Sequence, residues 1–191
     1  MKVLVGFLTE TAFCCALLYG IGFSSESPYS NNASVAVRSD LARDQADAEF
    51  VVRALEQCYA ISEVAMVGKI TSRSADINRE AETILHDYTV ITDSLKAAAA
   101  KKSLCVVLGS SEAGRALVLS LHKETPETFD AAWRSAVVSM NAQLLELFQN
   151  YPREPEGELQ SVLRTSIPIL RKHSDVFNSL IAEEHAEQER N

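Results

Sequence analysis

In "IPILRKHSDVFNSL", residues 167 to 180, His173 sits on the apolar side of a helical pattern, five residues after Pro168. An imidazole so placed can ligate a metal, act as a base, or lie in the core with its nitrogens satisfied. Few side chains could join it. Asp87 lies between His86 and Tyr88 in "ILHDYT", and Asn141 falls within another apolar-periodic segment. His173 with Asp87 or His86 would suit a metal-binding or redox protein. A two-metal centre demands more: several carboxylates and Glu-x-x-His pairs, because two cations must be neutralised as well as coordinated. No long helical segment of this chain carries Glu-x-x-His.

Helical phase sorts the candidates. At 100° per residue, Asp87 turns about 100° away from Tyr88 and His86 about 200°, which points His86 outward. Tyr88, Asn141 and His173 are the inward polar residues, and they are expected to form a hydrogen-bonded layer, since each buried polar group needs a partner. His122 and His185 lie near helix ends, where solvated cations complement the dipole. "LGSSEAG" puts small residues before a helix but lacks the lysine of a phosphate loop, so it reads as a serine cap. No Ser, His and Asp are placed together as a nucleophilic triad, and no catalytic residue is assigned.

The elements that position these residues are helices. Phe50, Ala54, Cys58, Ile61, Ala65 and Gly68 step by four and three, keeping one face inward in a first helix expected from Asp40. Ser74 is the expected N-cap of a second helix, with Ile77, Ala81, Ile84, Tyr88, Ile91 and Leu95 inward. "SLCVVLGSS" is a connection into a short helix, Ser111 to Leu121. Thr125 and Pro126 open the next long helix, whose inward stripe is Trp133, Val137, Asn141, Leu144 and Phe148. The last runs from about Glu156, with Leu163, Ile167, Leu170, His173, Phe177 and Leu180 inward and Pro168 inside it. Four long amphipathic helices with a short extra helix in the middle crossover predict an all-α four-helix bundle over residues 40–185.

A second apolar stripe, Val52, Tyr59, Met66 and Ile70, lies almost opposite the Phe50 stripe. Either the short helix covers it with Leu117 and Leu121, or it is a surface for a homodimer or another exported protein.

The formal charge of −8 repels phosphate backbones, and no Lys/Arg cluster offsets it, which excludes nucleic acid as a partner class. Residues 1–36 have the layout of a secretory signal and polar leader: Lys2, an apolar stretch best from Ala12 to Phe23, then a Ser/Asn-rich segment. Glu10 interrupts the run, so a membrane span is not expected in the mature protein, and a periplasmic or secreted location is. Cys58 and Cys105 lie beyond the leader; they could bridge in an oxidising compartment, but Cys58 on its apolar stripe reads as a small buried hydrophobe.

The segments "FVVRAL", "ILHDYTVITDSLKAAAAKK", "FDAAWRSAVVSMNAQLLELF" and "SIPILRKH" resemble, in order and spacing, the DUF4142 family over residues 45 to 183. The resemblance implies an exported bacterial protein with a ferritin-like fold, a loose stress-related association and no settled activity. It also implies a polar set: a first-helix Glu, a second-helix Asp-His pair, a third-helix His and the His after the proline. Carried across without gaps from Phe50, these fall on Ile61, Asp87 with Tyr88, Asn141 and His173. Glu63 cannot replace the missing Glu, because it lies about 200° round the helix from Ile61. The expected function is therefore a non-enzymatic binding or structural bundle with a degenerate polar centre and no cofactor. A weakly bound metal at His173 is the alternative.

Overall fold

Residues 31 to 67 contain neither Gly nor Pro, so nothing in that run stops a helix. The first helix accordingly begins well before Asp40 and runs through the boundary expected for the leader. The computed structural model describes residues 31–106, 109–152 and 157–188, with side chains from 42 to 179 within them. The leader before residue 31 and the side chains of Leu180 and His185 lie outside the described residues.

Among the described residues five helices follow in order: α1 Asn31–Thr71, α2 Ala75–Lys101, α3 Glu112–Leu121, α4 Pro126–Asn150 and α5 Glu158–Gln188. No strand occurs among the described residues. Local chemistry fixes several ends. Ser74 Oγ accepts from the Ile77 amide at 3.4 Å, and Ser111 Oγ accepts from the Gly114 amide at 3.2 Å. Pro126 opens α4, while Thr128 Oγ1 accepts from the Thr125 amide at 3.1 Å. Helix α5 continues through Pro168.

The four long helices close a ring in which α1 packs on α2 and α4, and α5 packs on the same two. Contacts at the ends give their directions. Ser72, just past α1, donates to Asp130 near the start of α4, at 2.8 Å. Lys101 at the end of α2 pairs with Glu158 at the start of α5, also at 2.8 Å. Every neighbour in the ring is thus antiparallel, and the single long connection, carrying α3, runs from the end of α2 to the start of α4.

The core is aliphatic and aromatic, with Trp133, Phe129, Phe148, Leu55, Ile61, Ile84 and Leu170 among its fully buried members. Close approach is paid for in glycine. A Cβ on Gly68 would stand 2.3 Å from Trp133 Nε1, and one on Gly114 would stand 2.6 Å from Ala60 Cβ. Gly114 therefore seats α3 over Ala60 of α1. Leu121 is buried and Leu117 half-buried, but the second stripe is not covered along its whole length. Val52 and Tyr59 are half-buried, whereas Met66 and Ile70 are 47% and 69% exposed.

Candidate functional site

Tyr88 on α2, Asn141 on α4 and His173 on α5 are all buried. Tyr88 Oη donates to Asn141 Oδ1 at 2.6 Å. The Asn141 amide nitrogen donates to Ser174 Oγ at 2.7 Å and to the Leu170 carbonyl at 3.1 Å. Both ends of one amide thus tie three helices together.

His173 turns elsewhere. Its ring lies between Tyr88, with centroids 5.6 Å apart, and Phe177, stacked at 5.8 Å. Its Nε2 faces Asp87 Oδ2 at 3.1 Å, close enough for an ion pair but without hydrogen-bond alignment. Lys172 Nζ reaches the same carboxylate oxygen at 3.8 Å. The expected bond from His173 to Tyr88 or Asn141 is replaced by this contact. Asp87 does turn off the Tyr88 stripe, but that turn carries it to the seam where α2 packs on α5, with its side chain only 17% exposed. His86, one residue back, is exposed.

Electrostatics keep the centre neutral. Burial pulls the His173 pKa below its ordinary value, opposed by the Asp87 carboxylate. Burial pushes the Tyr88 phenol well above its usual range, with Cys58 and Asp87 adding to the shift. Burial pushes the Cys58 thiol up to about 12, with Thr92 opposing the shift, which disfavours the thiolate. Cys58 and Cys105 are both free thiols, the first buried and the second exposed. Glu63 is exposed and accepts from Ser110 Oγ at 2.7 Å, outside the bundle centre.

A second polar cluster closes one end of the bundle. Asp47 is 4% exposed, accepts a short hydrogen bond from Tyr151 Oη and pairs with Lys102. Burial and the Asp47 carboxylate both push the Tyr151 pKa up. Sequence reasoning missed this cluster, although a signal existed. Asp47 precedes Phe50 by three residues and Tyr151 follows Phe148 by three, so each extends an inward stripe by one turn.

The family model for a domain of unknown function, DUF4142, matches residues 32–180 of this chain. The chain belongs to the DUF4142 family. No curated protein and no solved structure gives a significant match to it. Among the described residues of this DUF4142 chain, no three His, Cys, Asp or Glu side chains group as metal ligands. At the positions onto which the family resemblance carries its polar set, Ile61 offers no donor, and Tyr88 and Asn141 are bonded to each other. These residues do not fit a two-metal site.

Proposed function

We propose that this protein is an exported, non-enzymatic member of a ferritin-like bundle family that acts by binding or as a structural component, periplasmic or secreted. The Tyr88–Asn141 hydrogen bond carries the reading: it links two of the positions where a metal centre would need ligands. The antiparallel ring with one long crossover supports the ferritin-like architecture. The leader's order of lysine, apolar run and Ser/Asn segment supports export. The exposed Met66 and Ile70 support a contact with a second copy or another exported protein.

Elemental analysis of protein purified without added metal tests the centre, with less than one metal ion in ten chains expected on the order of background. A stoichiometric ion lost in His173→Ala would replace this reading. Cell fractionation with N-terminal sequencing tests export; a cytoplasmic product still beginning at Met1 would sink that part.

One observation favours a second reading. The buried His173 Nε2 has no aligned hydrogen bond and stands 3.1 Å from a carboxylate oxygen, so the pair could hold one cation weakly. The same elemental analysis separates the two.

A further inference from the structure

The face of α5 around Pro168 carries chemistry that the bundle centre does not use. Gln160, Leu163, Arg164, Ile167, Pro168 and Arg171 line a surface cavity of about 270 Å³. Arg164 and Arg171 are two helical turns apart, within about 20° of one face and about 10 Å along the axis. Both are exposed, and neither pairs with an acid among the described residues, although the chain carries a net charge of −8. Between them Pro168 has no N–H, so the Arg164 carbonyl lacks its regular intrahelical donor. Gln160 is 9% exposed and fixed by donating to the Pro152 carbonyl at 2.8 Å. Leu163 is buried and Ile167 half-buried, giving the cavity an apolar floor.

We propose that this face binds a small oxyanion-bearing compound, a carboxylate or phosphate held between Arg164 and Arg171. Guanidinium forks match the paired oxygens of either group, and two side chains of this length converge across the proline between them. The Arg164 carbonyl supplies an acceptor beside them, which favours an anion that also carries a hydroxyl or N–H donor. The cavity lies at or below the small end of ligand sites, which suits a compact anion rather than a long chain. This proposal does not depend on the bundle centre being free of metal.

Isothermal titration calorimetry of the full chain at constant ionic strength tests it, with inorganic phosphate, succinate and chloride as probes. Saturable binding of phosphate or succinate in the millimolar range is expected, and the stronger of the two identifies the class of anion. R164Q/R171Q should weaken it by about tenfold or more while the melting temperature stays the same. R164K/R171K, which keeps the charge and loses the fork, should also bind more weakly than wild type. If the Gln variant does not fold, the Lys variant reads the same question. No saturable heat with either oxyanion, equal binding of chloride, or undiminished affinity in the folded variants overturns the proposal.

Discussion

Asn141 shows what one amide can do in a dry core: its oxygen takes the Tyr88 hydroxyl, and its nitrogen serves Ser174 and Leu170. Tyr88→Phe removes one donor and strands the Asn141 oxygen where water is excluded, so it should lower stability by about 1–3 kcal/mol. Urea denaturation measures this, and a loss below about 0.5 kcal/mol would mean that the bond is not formed. His173 gives a second prediction, through pH. Its folded pKa is lowered by burial, so the unfolded chain binds the proton more readily as pH falls through the ordinary histidine range near 6.5. Stability tied to His173 is therefore complete above that range and lost below it. Denaturation midpoints from pH 7.5 down to 5 should fall more steeply for wild type than for His173→Asn, at about one proton's slope or less. Steeper stabilisation of wild type on acidification would instead mean that Asp87 wins over burial. The inward phase of Tyr88, Asn141 and His173 could be read from the sequence, because it depends only on spacing within each helix. The partner of His173 could not, since Asp87 reaches it across a seam between α2 and α5 that no single-helix phase describes.

At the scale of the element, local chemistry was the most legible part. Ser74, Ser111 and the Thr125–Pro126 pair open helices where their side chains say they should. The start of α1 was not legible, because a polar segment without Gly or Pro carries no stop signal. The end of α2 holds a feature that no sequence pattern announces. The Leu104 amide bonds the Ala99 carbonyl at 2.9 Å and the Ser103 amide bonds Ala100 at 3.1 Å, a Schellman closure with Ser103 at φ 55°. A serine in that region is strained where glycine is not, so Ser103→Gly should raise stability by about 0.5–1 kcal/mol. Unchanged or lower stability in chemical denaturation would count against the closure. Gly68 behaves the opposite way. In an open helix interior Gly→Ala gains about 1 kcal/mol, but here the new methyl would overlap the Trp133 indole, whose Nε1 donates to Val64 O at 2.8 Å. Overpacking and the lost bond together should make Gly68→Ala destabilising by about 2–4 kcal/mol. Near-ultraviolet circular dichroism should register the displaced tryptophan, and a stabilised variant with an unchanged spectrum would refute the contact.

For the whole molecule, the question is what holds four helices in an antiparallel ring. Some four-helix bundles use metal as a cross-link at the centre, where carboxylates and imidazoles of facing helices meet. Here the same region is packed with Ile61 and bridged by Tyr88 and Asn141, while Asp47, Tyr151 and Lys102 tie α1, α4 and the end of α2 at one end. Such a molecule should melt at the same temperature with or without metal. A ligand that binds only the folded state at 100 times its Kd adds about 2.7 kcal/mol, and for a chain of this size each kcal/mol moves Tm by about 2–4 °C. A working site would therefore shift Tm by about 5–10 °C, well above measurement error. Excess Zn²⁺, Fe²⁺, Cu²⁺ or a chelator should each move wild type by less than about 1 °C. His173→Ala should melt lower than wild type, by an amount that metal does not change, because it loses packing between Tyr88 and Phe177 rather than a ligand. A shift of several degrees in wild type that vanishes in His173→Ala would show that the His173–Asp87 pair binds the ion, and the polar layer would then be the scaffold of that site.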